Sequence, residues 1–263
     1  MMRNLRFILL LIKLKLSRMM VWRFSFFGAF FADGTLFLVQ LLTFQVIFGQ
    51  VDAIGDWGRG QMIIFVGTFS IINALNMLIY FFGVVDIPEK IKRGDLDAYL
   101  TKPVNPLLRI TFENVNPGSI PLVIMSVLIV VYGVQVTGAE VSFSRGLCYT
   151  VLVLLMTLLW YDMEIILRTI PFLVISANGI MQLEGYLIEL NFRVPGVLFK
   201  GAFKVLFYFI LPYGIMSTVP TQLLSGALTL GGLFQAFWVV TFFTAFALWF
   251  WHFALTHYKS ASS

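Results

Sequence analysis

The sequence predicts an all-α membrane protein: six transmembrane helices, an N-terminal amphipathic surface helix and a re-entrant helical pair before the last span. Hydrophobic residues make up 59% of the 263 residues and charged residues 12%, about half the charged share of soluble domains. Apolar runs of about 20 residues, the length that crosses a bilayer, recur along the chain. Because the polar stretches between these runs are short, we expect residues 1–263 to form a single transmembrane domain.

The N-terminal segment, residues 1–23, is predicted to lie on the membrane surface as an amphipathic helix. Its apolar run at 7–12 could imitate the core of a cleavable signal peptide, but Lys13 and Lys15 interrupt the run and no small-x-small cleavage site follows. Lys and Arg side chains on such a helix reach toward lipid headgroups while its apolar face enters the bilayer. We therefore expect this helix to remain on the protein, in contact with membrane lipid.

The spans are predicted from the apolar runs, and their orientation from the basic residues between them. The predicted boundaries are 25–49, 61–85, 119–136 and 146–168, then a fifth span from Pro171 to about Leu190 and a last one at 232–256. Lys and Arg number six before the first span, one after it, five after the second and one after the third. By the positive-inside rule this alternation predicts a cytoplasmic N-terminus. The loop at 86–118 is then cytoplasmic.

The segment 191–226 allows two interpretations, because prolines break its apolar run. Either 205–226 is a full span, or 196–211 and 213–225 form two short helices that enter the outer leaflet and turn back. Non-helical backbone at membrane depth requires protein or water partners, so a re-entrant pair would pack against other spans. We adopt the re-entrant pair, which brings the total to six spans and the C-terminus to the cytoplasm. The re-entrant pair also leaves three basic residues, Arg193, Lys200 and Lys204, on the outside, whereas the other outside loops carry one basic residue each.

Residues for catalysis or metal binding are scarce. There is no G-x-x-x-x-G-K-[S/T] loop to hold nucleotide phosphates and no H-E-x-x-H metal motif. Cys148 is the single cysteine, and His252 and His257 lie five apart, off a shared helical face. Much of the basic charge flanks apolar runs, which is typical of membrane topology rather than nucleic-acid binding. We expect no catalytic residue, no metal site, no cofactor and no nucleic-acid partner, which leaves transport, channel activity or scaffolding.

Polar residues within the spans are candidates for a substrate pathway, since a charge at mid-bilayer costs roughly 2.5–3.5 kcal/mol. The candidates are Asp33 and Gln40 on one face of the first span and Asn178, Gln182 and Glu189 on one face of the fifth. The alternative is that they form hydrogen bonds between helices. Glu184 lies off the polar face of the fifth span, and Glu164 and Arg168 are spaced to pair along the fourth span in a structural role.

The loop sequence 91–107, IKRGDLDAYLTKPVNPL, resembles a signature of one group of ABC transporter permeases, the membrane subunits of type-2 ABC exporters. That signature, I-[KR]-x-G-x-L-D-x-x-L-x-[KR]-P-[VL]-N-P-L, lies in the cytoplasmic loop between the second and third spans. The residues expected to form the coupling loop are Ile91, Gly94, Asp95, Leu96, Asp97, Leu100, Lys102, Pro103, Asn105 and Pro106. Three weaker similarities extend the resemblance over nearly the whole chain: the pair Trp22-Arg23, the turn at 55–57, and the spacing of Pro195, Pro212 and Pro220.

The resemblance implies that the chain works with other proteins. A permease without a nucleotide site requires a separate ATP-binding cassette ATPase, which binds ATP and Mg²⁺ and docks on residues 87–107. A second permease subunit, either an identical or a related chain, completes the pore. The resemblance also implies a bacterial-type cytoplasmic (inner) membrane, both termini in the cytoplasm, and export of a hydrophobic or amphipathic compound. The alternative is an ATP-independent channel or scaffold whose loop 86–118 recruits a different protein.

Prolines and glycine give the loop motif a physical interpretation of its own. Pro88 fits the first turn of a short helix that Gly94 can end, and Asp95 is predicted to cap the next turn, 96–100. The segment 102–106 should leave as a stiff extended chain, because each proline disfavours helix in the residue before it. The result is a rigid knob of mixed charge, suited to transmitting force from a soluble partner. The alternative is a headgroup-bound loop whose prolines only stop helices.

Overall fold

The computed structural model describes residues 10, 11, 13, 23–174 and 178–258, apart from the side chains of 23–30, Asp33 and Asn178. Within this part of the chain the secondary structure is helical, and the strand-like pairing is limited to one isolated bridge between Ile54 and Trp57. The predicted all-α class is therefore confirmed. The predicted surface helix at 1–23 lies almost wholly outside the described residues.

The described helices are labelled in chain order. They are α1 (Arg23–Ile47), α2 (Arg59–Ile79), α3 (Ile87–Arg93), α4 (Asp97–Leu100), α5 (Pro106–Glu113), α6 (Ile120–Thr137), α7 (Phe143–Thr169), α8 (Asn178–Arg193), α9 (Gly201–Ile210), α10 (Tyr213–Leu224) and α11 (Leu230–His257). A one-turn helix, Phe81–Val84, follows α2. Short 3₁₀ turns precede α6, α8 and α9 at Pro117–Ser119, Ile170–Phe172 and Gly196–Leu198.

Several of these helices are long and apolar enough to cross a membrane. Among the described residues, α2, α6, α7 and α11 meet that requirement, and the bent pair α9–α10 adds a fifth span if its two halves cross together. In α1 the described apolar portion is Gly34–Ile47, which is shorter than a full span. The described chain therefore has four or five candidate spans by length and composition.

α8 takes the place of the predicted fifth span, but with later boundaries, Asn178–Arg193 instead of 171–190. A 3₁₀ turn at Ile170–Phe172 follows α7 and occupies the first part of the predicted span. The helix ends two residues before Pro195, as expected because proline disfavours helix in the residue before it. At 1.5 Å per residue, its 16 residues extend over about 24 Å.

α2 forms the centre of the bundle and is buried along most of its length. It packs closely on α6, where two glycines let the backbones approach each other. A Cβ atom on Gly67 would lie 2.9 Å from the amide nitrogen of Val130, and one on Gly133 would lie 2.8 Å from that of Ile64. Small residues at such contacts allow close helix packing in membranes. On the other side α7 packs against α2, and α11 packs against α7.

Two apolar clusters mark opposite ends of the bundle. Leu96 of the 86–118 loop shares one cluster with Trp251 of α11, and Phe172 packs against it. Trp57 of the α1–α2 connection belongs to a second cluster, against which Val197 packs. We call these the loop end and the far end. Because Phe172 lies at the loop end and Val197 at the far end, α8 runs through the bundle from one end to the other.

The bent pair α9–α10 starts and finishes at the far end. α9 follows Val197, which packs near Trp57. α10 finishes at Leu224, which lines a cavity together with Val134 in the last turn of α6 and Val141 of the α6–α7 connection. Between these points the chain bends by 81°. α11 then begins at the far end and finishes beside the loop cluster.

Candidate functional site

The loop 86–118 folds into three short helices, α3, α4 and α5, which together form a knob at the loop end. α3 has Pro88 in its first turn and is closed by Gly94, whose φ of +74° is readily adopted only by glycine. Glu89 lies in the first turn, and Lys92 and Arg93 lie in the last, so the charges favour the helix dipole. The predicted roles of Pro88 and Gly94 are confirmed.

The prediction that Asp95 caps the next turn is wrong. α4 begins at Asp97 without a side-chain cap, and the amide of Ala98 donates to the backbone carbonyl of Asp95 at 3.2 Å. The reason lies in Leu96, which is fully buried and whose amide donates to the carbonyl of Lys90 at 3.3 Å, so that backbone bonds close the turn. The Asp95 side chain is exposed instead.

The prediction of an extended exit at 102–106 is wrong. Residues 102–104 form bends, where the amide of Val104 donates to the carbonyl of Lys102 at 2.8 Å, and Asn105 then caps α5. Its side-chain oxygen accepts hydrogen bonds from the amides of Leu107 at 2.9 Å and Leu108 at 3.2 Å, and Pro106 is the first helical residue. The Asn-Pro pair is therefore a helix start, a signal that the sequence analysis missed although both residues favour these positions.

Glu113, at the end of α5, ties the three helices of the knob together. Its carboxylate lies 3.3 Å from Nζ of Lys90 and 3.9 Å from Nε of Arg109, and it accepts a hydrogen bond of 2.8 Å from the hydroxyl of Tyr99. The Arg109 guanidinium lies 4.3 Å from the centre of the Tyr99 ring. Burial and the Glu113 hydrogen bond raise the pKa of Tyr99, so its hydroxyl stays a donor. We call these four residues the Glu113 cluster.

Apolar side chains fix the knob to the spans. Ile87, Leu96 and Ile110 are fully buried in one cluster with Ile165 of α7 and Trp251 of α11. Burial of an aliphatic side chain of this size contributes about 1.5–3 kcal/mol. The knob is therefore packed firmly on two of the candidate spans, α7 and α11.

A polar groove opens on the exposed side of the knob. It has a volume of about 430 Å³ and is lined by Asp86, Glu89, Lys90, Arg93, Asp95, Ala98 and Tyr99. We call it the knob groove. Its lining carries both signs of charge, whereas Ala98 contributes the only aliphatic side chain from the part of the chain that the structure describes. Such a groove suits the polar surface of a soluble partner.

The ten motif residues divide between the interior and the surface of the knob. Leu96 is buried. The half-buried residues are Ile91, Gly94, Asp97 and Pro106, and the exposed residues are Asp95, Leu100, Lys102, Pro103 and Asn105. The motif therefore contributes both an anchor for the knob and a surface that a partner can reach.

The predicted pathway residues differ in how far they are buried. Gln40 is buried on α1. Gln182 and Glu189 are exposed on α8, where Glu189 makes an ion pair of 2.5 Å within its own helix. The side chains of the remaining two, Asp33 and Asn178, lie outside the described residues. A substrate pathway along these five residues stays a prediction.

A buried charged cluster joins α7, α8 and α10, and only its pair of Glu164 and Arg168 was predicted from the sequence. Arg168 lies 3.0 Å from Glu164, as predicted, and 2.6 Å from Glu184 of α8. The hydroxyl of Tyr213, at the tip of the bent pair, donates to Glu184 at 3.3 Å. The three charged side chains are between 2% and 7% exposed. We call these four residues the Arg168 cluster.

Neither cluster has the composition of a ligand site. Within the described residues, no group of three or more His, Cys, Asp and Glu side chains is arranged to hold a metal ion. In both clusters the carboxylates face cations and tyrosine hydroxyls of the chain itself. Their role in the structure is to join one helix to another.

The comparison with known proteins agrees with this architecture. The family described as ABC-2 family transporter protein matches residues 35–262, which include the described spans, the knob and the bent pair. No curated protein and no solved structure matches the chain significantly. The narrower subgroup defined by the loop motif stays a prediction. The family match covers most of the sequence, and the chain therefore belongs to the ABC-2 transporter family as a transmembrane permease.

Proposed function

We propose that the chain is the permease subunit of an ABC exporter and that a separate ATP-binding subunit docks on the knob groove. The observation that carries this proposal is the construction of the knob. Its core is packed on α7 and α11, its three helices are tied by Glu113, and its exposed side is a polar groove. A surface that is both rigid and polar suits a soluble partner that applies force. ATP and Mg²⁺ belong to that partner.

Contacts along α7 give a route by which movement of the knob reaches the rest of the bundle. Ile165 packs in the same cluster as Leu96 of the knob. The residue before it, Glu164, pairs with Arg168, which in turn holds Glu184 of α8. Tyr213 connects the bent pair to the same carboxylate. A shift of the knob is therefore expected to move α7, α8 and the tip of the bent pair together.

The arrangement of the ends supports six membrane crossings. α8 runs from the loop end to the far end, whereas the bent pair starts and finishes at the far end. We infer that α8 is the fifth crossing and that the bent pair is re-entrant. From the density of basic residues around the knob we infer that the loop end faces the cytoplasm. Both termini are then proposed to be cytoplasmic, in a bacterial-type inner membrane.

A second permease subunit is proposed to pack beside α1 and α8. These helices are neighbours, since the rings of Phe37 and Phe192 lie 5.7 Å apart. Both also keep large apolar side chains exposed: Leu36, Leu42 and Val46 on α1, and Leu183, Tyr186 and Leu190 on α8. A path between two such faces would suit a hydrophobic or amphipathic compound.

A single substitution in the knob groove tests the docking site. Ala98 is exposed and lines the groove, so Ala98→Arg places a long cation in the proposed interface without disturbing the core. The full chain is co-expressed with its ATP-binding subunit, and the co-purified ATPase and its activity are measured. We expect the variant to weaken retention of the ATPase by about tenfold or more.

Ala53→Arg is the matched control, because Ala53 is exposed in the α1–α2 connection at the far end. It should leave the ATPase bound and active. Normal retention and stimulation of the ATPase by the Ala98→Arg protein would overturn the docking site. Equal levels of both variants in the membrane exclude a folding defect as the cause.

A further inference from the structure

A second groove, formed by α1, α2 and α6, lies at the far end, away from the knob. It has a volume of about 350 Å³ and is lined by Leu41, Phe44, Gln45, Phe48, Arg59, Ile63, Met125, Leu128, Ile129 and Tyr132. We call it the far groove. The proposed docking of the ATPase on the knob does not involve the far groove.

The far groove is elongated along the helices. Leu41 on α1 and Phe48, the first residue after α1, are seven residues apart, as are Met125 and Tyr132 on α6. At 1.5 Å per residue, each helix contributes a wall about 10 Å long. The lining therefore extends along the helices, in the direction of the spans. An extended acyl chain, which lies in that direction in a bilayer, fits such a groove.

The polar groups of the far groove are all near its outer mouth. Gln45 lies two residues before the end of α1, Arg59 is the first residue of α2, and Tyr132 lies five residues before the end of α6. The deep part is apolar: Met125 lies against the middle of α1, 3.5 Å from the Cβ position of Gly34. The groove is therefore amphipathic, with its polar end where lipid headgroups would be.

Among the described residues, Arg59 is the only charged residue in the lining. It is exposed, and it takes part in none of the ion pairs found among the described residues, although Asp56 is close in sequence. A guanidinium presents paired donors that match the oxygens of a phosphate group. An apolar slot with a single arginine at its mouth is complementary to an anion with a hydrocarbon chain.

We propose that the far groove binds an anionic phospholipid of the outer leaflet, with one acyl chain between α1 and α6 and the phosphate on Arg59. A second copy of this chain is a poorer occupant, because a symmetric contact through the same surface would bring the two Arg59 cations toward each other. The assignment to the outer leaflet rests on the proposed topology. The binding itself does not depend on ATPase docking.

Lipid titration of the purified full chain tests the charge at the mouth. The chain in neutral detergent is titrated with phosphatidylglycerol or with phosphatidylcholine of the same acyl chains, and bound lipid is counted by native mass spectrometry. Arg59→Gln should weaken phosphatidylglycerol binding about tenfold and leave phosphatidylcholine unchanged. Arg145→Gln is the control, since Arg145 is a half-buried arginine in the first turn of α7, at the same end but outside the groove.

A second pair of variants tests the slot itself. Leu128→Trp places an indole in the far groove, and Leu154→Trp places one on the exposed face of α7; both leucines are more than half exposed, so neither change disturbs the core. We expect the Leu128→Trp protein to lose phosphatidylglycerol and the Leu154→Trp protein to keep it. Equal phosphatidylglycerol affinity in the wild type and the Arg59→Gln protein would overturn the proposal.

Two further outcomes would also contradict lipid binding. Equal affinity of the wild type for the two lipids would remove the role of charge. If Leu128→Trp changed the oligomeric state without affecting bound lipid, the far groove would be a contact between two copies of the chain. ATPase retention by the Ala98→Arg and Ala53→Arg proteins is measured separately from lipid binding. Failure of the lipid proposal is therefore distinguishable from failure of the docking site.

Discussion

The Glu113 cluster in the knob and the Arg168 cluster among the spans use the same chemistry in different surroundings. Each joins a carboxylate to an arginine and a tyrosine hydroxyl. The charged side chains facing Glu113 are 14–21% exposed, whereas those of the Arg168 cluster are 2–7% exposed. Water therefore still reaches the first cluster, but each charge of the second relies on its protein partners. We therefore expect the Glu113 cluster to shape the loop and the Arg168 cluster to determine how the helices pack.

The largest effect is expected when the shared cation of the buried cluster is removed. Arg168→Met leaves the carboxylates of Glu164 and Glu184 buried without a cation, and breaking a buried pair in this way costs about 3–5 kcal/mol. Unfolding of the purified protein in mild detergent should show this loss of stability. Arg193→Met is the control, since its pair with Glu189 is more than half exposed, and it should change stability by less than about 1 kcal/mol. A stable Arg168→Met protein would refute the role of the cluster.

A smaller effect is expected from the hydrogen bond at the tip of the bent pair. Tyr213→Phe removes the donor to Glu184 but keeps the ring, at a cost of about 1 kcal/mol. The tip should then separate from α8 more often, and hydrogen exchange at residues 206–216 should increase. Tyr186→Phe, on the exposed face of α8, provides the comparison and should leave exchange unchanged. Identical exchange in both variants would show that the bond does not hold the tip.

The smallest effect on stability is expected in the knob. Glu113→Gln removes the charge that faces Lys90 and Arg109, but solvent compensates in part, so the loss is about 1 kcal/mol or less. Hydrogen exchange should increase at residues 95–101 and not in the spans. Glu89→Gln, which alters a surface pair of the same knob, should change neither. If Glu113→Gln destabilised the spans as strongly as Arg168→Met, the contrast between the two clusters would fail.

The sequence predicted the elements that depend on local signals. Apolar length marked the spans, and Pro88 with Gly94 marked α3, because both signals act within one or two turns of helix. Asn105 and Pro106 carry an equally local signal for the start of α5, and a closer inspection of capping residues would have found it.

The partner of Arg168 depends on tertiary structure and was not predictable in the same way. The 3₁₀ turn Ile170–Phe172 shifts the start of α8, so the helical phase assumed for a span at 171–190 no longer determines which face Glu184 occupies. The sequence did offer one hint, since a lone arginine within a span generally requires charged partners. Arg168 pairs with Glu184 as well as with the predicted Glu164. The failed Asp95 cap has a similar cause, since burial of Leu96 decides the turn.

Photo-crosslinking at the knob groove is the most direct test of the central claim, that a separate ATPase docks on this loop. A benzophenone side chain is introduced at position 98 or, as the comparison, at position 53, and membranes from cells that also produce the ATP-binding subunit are irradiated. We expect a covalent adduct with that subunit from position 98 and none from position 53, since these residues lie at opposite ends of the bundle. An adduct from position 53, or none from position 98 in membranes where ATPase activity is stimulated, would contradict the central claim.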